Sequence, residues 1–415
     1  MRNGCLGQAA WKLAQSPVVV FVIAVTMRLW AFRQLLQEHA WQFFYQYNEF
    51  AHIASNVASG HGYSSLWANT PLAPTAAEPP VYAYLLAGIF RLTGVYSYPA
   101  LWIAVGLNAV LSAITGVLIL RIGGRSFGSS TGVLAAWVWS CWLFEAVVAV
   151  RLWHSSLSAL VLMIGLLLLP QLDTSLRAAH WLMFGAVAGV AGLTNTTLLS
   201  VFPFFWLWLW IGYRRRRQSC NRLLFASVGV FLLTLLPWTI RNYVTFGRLM
   251  PIRDDFWLEL WIGNHEGEAR LTGDDFQPMV AEYSRLGEAR FMDNKLQLAR
   301  QFLRQHGGEF LRLSLWRVIL FWTTPDGSAW PYISLLAWLG LILAIRQRGN
   351  AALPYAIVMV IFPLVYYITH TVSTYRHPIE PVTLLLAALA VIGAIETAGR
   401  QITRNRRRSA VGGSS

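Results

Sequence analysis

Charge is what this sequence has least of. Only 13% of its 415 residues are Asp, Glu, Lys or Arg, against about 25% in an ordinary soluble domain. That deficit excludes a soluble enzyme, a disordered chain and a collagen-like chain. Cysteine is scarce as well: Cys5, Cys141 and Cys220 are scattered, with no CxxC pair and no disulfide framework. Acids are the rarer charge, 19 against 33 Lys and Arg, which leaves a formal charge of +14. Strands of about ten residues alternating apolar with polar are missing, and continuous runs such as Leu157 to Leu169 exclude a β-barrel. There is no P-loop and no dinucleotide fingerprint. A soluble nucleotide donor therefore has no visible site, and an ATP-driven pump is excluded for this chain alone.

What is present is apolar length. The chain is 56% hydrophobic with a mean hydropathy of +0.47. Runs near membrane-spanning length recur almost throughout, which predicts an all-α polytopic membrane protein. The expected spans are Pro17–Leu36, Pro99–Leu120, Thr131–Val150, Ser155–Leu169, His180–Asn195, Val201–Tyr213, Leu223–Ile240, Pro331–Ile345, Ala351–His370 and Pro381–Ile395, about ten helices in all. The first lacks a small-residue cleavage site and reads as a retained span.

The arginines sit at the ends of these runs, which argues for topology and headgroup contacts and against nucleic acid. With the N-terminus in the cytoplasm, Arg121 and Arg125, Arg177, Arg214 to Arg217 with Arg222, and Arg346 with Arg348 all fall inside. The basic tail falls inside too, and the reverse orientation violates the positive-inside rule throughout. Two long segments fall outside, 37–98 and 241–330. The implied division is an N-terminal transmembrane module over 1–240, an extracytoplasmic region over 241–330, C-terminal transmembrane helices over 331–400, and a disordered basic tail over 401–415 ending in Gly412–Ser415.

Polar chemistry collects on the outer side. Gln46 to Ser59 has helical spacing with Gly60 as a cap, which puts Glu49, His52 and Asn56 on one face. On spacing alone a solvated helix face is the stronger reading. The Pro-rich stretch Pro71 to Pro80 is stiff and holds a loop against the next helix, with Glu78 as a second acid or, the favoured reading, a rim charge. Glu145 and Arg151 read as a local ion pair, and His154 as a satisfied interfacial histidine. Arg241 and Arg253 flank the outer interface. Glu259, Asn264 and His265 lie on a Trp-rich stretch suited to sugar stacking, although Trp at interfaces also serves as an anchor. Tyr375-Arg376-His377-Pro378-Ile379-Glu380 puts Arg376 and Glu380 at the mouth of the last helix, where the arginine is read as pairing with Glu380, with its helix neighbours or with a lipid phosphate, which suits its guanidinium fork. No HExxH or comparable close pair exists, so no metal site is expected.

Several of these stretches resemble the motifs of one group. They are Asn48-Glu49-Phe50-Ala51-His52, Gly60-His61-Gly62-Tyr63, Pro74 to Tyr82, Trp153-His154-Ser155, Pro237 to Asn242, Leu260 to His265 and Tyr375 to Pro381, in that order. The chain resembles the GT-C superfamily of membrane glycosyltransferases, especially the family 39-like group with the protein O-mannosyltransferases and the lipid A aminoarabinose transferase. The family often carries Asp-Glu in the first loop, where this chain has Asn48-Glu49, and often an acid where it has His154.

The resemblance implies a GT-C-like bundle with two long extracytoplasmic loops in a bacterial cytoplasmic membrane, both termini inside. It implies a sugar donor linked to a polyprenyl phosphate and an acceptor that is a glycan, lipid or protein on the outer face. The lipid-linked sugar is then a substrate and no cofactor is required, with a divalent metal left open. Glu49 is expected as general base, since Asn48 and Gln46 cannot take a proton. Arg376, Arg241 and Arg253 are expected at the donor phosphate, with Arg376 close to Arg241. Tyr375, His52, Asn56, His154, Glu259, Asn264 and His265 are expected around the substrates. The rival class is a non-catalytic transporter or flippase of lipid-linked sugars. It predicts charges buried mid-membrane, whereas the spans read as largely uncharged at their centres.

Overall fold

All ten apolar stretches fold as helix. The computed structural model describes residues 2–412 apart from Tyr47, Asn69, 266–272 and 324–329. The count of ten spans is not met on length and composition: among the described residues seven stretches qualify, or eight with the broken pair Ser129–Cys141 and Leu143–Ala149. Two features account for the difference. Ala178–Thr194 is apolar but has only 17 residues. Trp330–Ile368 counts once, yet at about 1.5 Å per residue its 39 residues are far longer than a bilayer is thick. That stretch is interrupted after Arg348 by a turn at Gly349, whose φ is +54°.

One cation was not expected. Arg28 lies in the middle of the helix Pro17–Glu38 and is fully buried. It explains the 64° break between Cys141 and Leu143. Its guanidinium donates to Trp139 O and Ser140 O, both at 2.8 Å, and to Ser112 Oγ at 2.9 Å. Those carbonyls end a helix and need donors that the apolar surroundings do not supply. The bend is therefore held by a side chain from another span.

Small residues let the spans approach closely. Gly340 on Trp330–Arg348 has no room for a Cβ because the backbone of Leu386 on the last helix fills the space. Gly185 meets the backbone of Ser227 in the same way. The last helix runs Glu380–Gly412, through most of the segment expected as a disordered tail, since Gln401 to Arg408 contains no helix breaker. Residues 413–415 of the Gly-Ser end lie outside the described residues.

The long segments at the other end are built from short helices. In 37–98 these are Glu49–Ala58 and Pro80–Thr93; in 241–330 they are Phe256–Gly263, Gly273–Leu286, Glu288–Gln305 and Gly307–Thr323. The first begins at Glu49 and not at Gln46 because Asn48 takes the cap, its Oδ1 accepting from Ala51 N at 2.8 Å. Both segments grip the stiff strip Thr75–Ala77. The buried Glu288 carboxylate accepts from Thr75 Oγ1, from Ala76 N at 2.6 Å and from Tyr283 OH at 2.9 Å. Arg241 donates to Thr75 O at 2.7 Å and Tyr63 O at 2.8 Å. Phe50, Tyr63 and Trp67 from one segment share a core with Leu258, Tyr283 and Phe291 from the other. The expected boundary at 240/241 thus separates segments that pack as one layer.

Candidate active site

The strip continues to Glu78, and there the two segments enclose a cluster of charge. Arg253 Nε donates to Ala77 O at 2.9 Å, which aims the guanidinium inward. Around it stand Asp255 in direct contact, Glu78 at 3.6 Å and Glu259 at 3.9 Å. Glu259 Oε2 in turn lies 2.9 Å from His370 Nδ1, and His370 Nε2 is 3.1 Å from Tyr375 OH. These groups line a cavity of about 500 Å³ together with Glu49, His154 and Trp153.

Glu49 also lines a second cavity of about 630 Å³ with His52, Trp67 and Tyr96. Its carboxylate therefore belongs to both. It is half-buried, and Trp67 Nε1 donates to its Oε1 at 2.7 Å.

Three carboxylates around one guanidinium, with Glu49 lining the same cavity, cannot all be charged cheaply away from water. Burial pushes Glu78 and Asp255 well above the usual carboxylate range, against the pull of Arg253. Burial raises Glu49 too, opposed by the Trp67 hydrogen bond. Glu259 goes the other way: burial raises it, but His370 and then Arg253 bring it down to about 2. Arg253 is raised, because its three carboxylates outweigh its burial. Burial, helped by Arg253, lowers His154 to about 3 and keeps its ring neutral.

The residues expected from sequence divide. Glu49, Arg253, Glu259, His154 and Tyr375 meet at the first cavity. His52 lines only the second, its Nδ1 3.3 Å from Tyr96 OH. Arg376 and Arg241 do not meet there. Arg376 is buried and paired with Glu380 at 2.6 and 3.0 Å, between Trp322 and Trp330. Arg241 is held by backbone carbonyls and by the rings of Tyr63 and Trp238. Asn56 is occupied by Ser64 O at 2.9 Å, which closes its own loop. Asn264 is buried, donating to Leu260 O and Ile368 O and accepting from Arg317 at 3.1 Å. His265 stacks on Trp261.

Two sequence readings are corrected. Glu78 is buried inside the cluster, because the Pro-rich strip turns its carboxylate toward Arg253. Glu145 pairs with His377 at 2.5 Å and not with Arg151, because the break at Trp142 turns its helix toward the start of the last span. Asp255, His370, Trp67 and Tyr96 were missed. None of the four lies in a stretch that resembles the family's motifs.

A solved structure of the apo oligosaccharyltransferase of Archaeoglobus fulgidus aligns with a TM-score of 0.58 at 12% identity, covering 95% of this chain and 52% of its own. The oligosaccharyltransferase AglB of Archaeoglobus fulgidus, in complex with an inhibitory peptide and a dolichol-phosphate, aligns at 0.57 and 11%, covering 94% and 52%. This chain therefore shares the fold of these oligosaccharyltransferase structures over nearly its whole length. Residues 77–240 match the family model described as dolichyl-phosphate-mannose-protein mannosyltransferase. That match takes in Glu78 and His154 and stops short of Glu49 and Arg253. This chain spans about half the length of the two oligosaccharyltransferase chains. ArnT from Cupriavidus metallidurans bound to undecaprenyl phosphate aligns at 13% identity over 91% of this chain and 76% of its own, with a TM-score of 0.40, too low to carry an argument. No curated protein matches the chain by sequence.

Proposed function

We propose that this chain transfers a sugar from a polyprenyl-phosphate donor to an acceptor hydroxyl at the outer face of a bacterial cytoplasmic membrane, with Glu49 as general base. The observation that carries the proposal is the position of Glu49 on the wall shared by two cavities. A base must touch the acceptor while facing the donor's anomeric carbon. The donor head fits the first cavity, where carboxylates, Tyr375 and neutral His154 offer partners to sugar hydroxyls and Arg253 is the cation beside them. The acceptor then enters from the second cavity.

The acceptor oxygen attacks C1 of the sugar, and its proton passes to Glu49. The bond from C1 to the phosphate oxygen breaks, and its electron pair leaves with the lipid phosphate, which gains one negative charge. Arg253 lies where that charge develops. It is shared among carboxylates, two of which burial drives toward the protonated form, so an entering phosphate competes with weakened partners. Arg241 supports this from behind by fixing the strip that carries Glu78. The lipid-linked sugar is the substrate in this reading, and no further cofactor enters the step.

The transporter class predicts charges along a path. The buried charges here are matched instead: Arg28 by helix-end carbonyls, Glu145 by His377 and Arg376 by Glu380. That supports an enzyme. The test is Glu49→Gln, which keeps the shape and the Trp67 contact. It should retain binding of undecaprenyl phosphate and slow transfer by roughly 10²-fold or more. Unchanged turnover by this variant would sink the proposal.

A further inference from the structure

The second cavity differs in character from the first. Its described walls carry the rings of Trp41, Tyr45, Trp67, Tyr96 and Phe276. Its polar groups are amides such as Gln42 and Gln277, with Ser55 and His52. Among the described residues it is lined by no Lys, no Arg and no acid but Glu49. Burial lowers His52, so its ring is neutral at pH 7.

The backbone gives a second, independent observation. Tyr96 has φ +52°, a left-handed conformation that a bulky L-residue rarely adopts. Such strain persists only where surrounding contacts enforce it, and it concentrates at functional sites. Here Tyr96 OH donates to Ser55 Oγ at 2.9 Å and meets His52 Nδ1, while its ring packs on Tyr45 and Phe90. Tyr96 thus fixes the His52 ring at the cavity wall, and His52 Nε2 has no protein partner among the described residues.

From this lining we infer that the second cavity takes an uncharged saccharide, so that the acceptor is a neutral glycan hydroxyl. The inference rests on the two-cavity reading above and adds the acceptor's class. The C–H faces of a pyranose are polarised by their neighbouring oxygens and stack on the electron-rich faces of aromatic rings. Amides, hydroxyls and a neutral imidazole both donate and accept, which suits sugar hydroxyls. A phosphorylated acceptor would meet no cation among the described residues of the wall, and Glu49 would repel it. A polypeptide would need backbone partners, and the nearby helix Glu49–Ala58 already uses its own from the Asn48 cap to Ser59 N. The volume of about 630 Å³ falls in the usual range of about 300–1,000 Å³ for small-molecule sites.

The experiment uses the full chain in lipid nanodiscs and saturation-transfer difference NMR. The probes are neutral tri- and tetrasaccharides of glucose, mannose, galactose and N-acetylglucosamine, with glucose 1-phosphate and a Thr-containing hexapeptide as competitors of other classes. At least one neutral saccharide should bind saturably through its C–H protons. Trp41→Ala should weaken it roughly tenfold, and Trp41→Phe should restore most of it. Binding of undecaprenyl phosphate, read by thermal shift, should be the same in both variants. The inference is overturned if no neutral saccharide binds at millimolar concentration, if only the phosphate ester or peptide binds, or if Trp41→Ala leaves saccharide binding intact. Loss of undecaprenyl phosphate binding in the unmodified chain would instead defeat the transferase reading. Saccharide binding dependent on Trp41 would still support the cavity's assignment.

Discussion

Trp67 donates its indole N–H to Glu49 across 2.7 Å, from a loop 18 residues further along the chain. The bond fixes the carboxylate between two cavities and favours its charged form. Trp67 is itself held edge-on by Tyr283 and Phe291 of the second long segment. The position of the proposed base therefore depends on both segments.

The first prediction follows from that bond. Trp67→Phe keeps the ring but removes the donor, so Glu49 should rise further. A general base acts in its deprotonated form, and the rate grows as pH passes upward through its pKa. The acid limb of the pH–rate profile should therefore move to higher pH in Trp67→Phe. A limb that stays in place, or moves down, would show that Glu49 is not the titrating group.

Arg376 should behave as a structural residue. Its bidentate pair with Glu380 is fully buried, and breaking such a pair from one side costs about 3–5 kcal/mol. Arg376→Ala should sharply lower the thermal unfolding temperature. The double variant Arg376→Met with Glu380→Gln should recover much of the loss, because neither charge is then left alone. A stable Arg376→Ala protein that has lost donor binding would return Arg376 to the donor site.

Close helix packing supplies a test without charge. Alanine usually stabilises a helix over glycine by about 1 kcal/mol. Gly340→Ala should do the reverse, since its Cβ would run into the backbone of Leu386. Gly229→Ala, where nothing lies within 4 Å, should be neutral or stabilising. Paired thermal unfolding curves decide this, and equal effects at the two sites would refute the close contact.

The arginine-rich turns gather at the end opposite the cavities, where Arg216 bonds Asp173 at 2.8 Å and Trp208 Nε1 bonds Asn350 O at 3.0 Å. In a cysteine-free background, His61→Cys should label from outside intact cells. Arg177→Cys should label only once the inner face is opened. The opposite pattern would invert the proposed orientation.

Apolar run length and arginine placement were enough, in sequence, to determine a helical membrane protein with two long polar segments at one end. Both are local properties: twenty apolar residues satisfy their own backbone as a helix whatever surrounds them. Glu49 was also legible, as the acid left in its motif, and so was the stiffness of the Pro-rich strip. The choice among possible partners for the charged groups was not. Arg376 and Arg253 look alike in sequence, each flanked by an acid within four residues. One closes on the first residue of the helix that follows it, and the other is turned by Ala77 O into a ring of carboxylates drawn from both segments. Arg28 reads as a stray charge until the broken helix 111 residues away presents its carbonyls. Only tertiary structure decided these cases, because a buried charge is stabilised by whatever partner lies within a few ångströms, and that distance is not encoded along the chain.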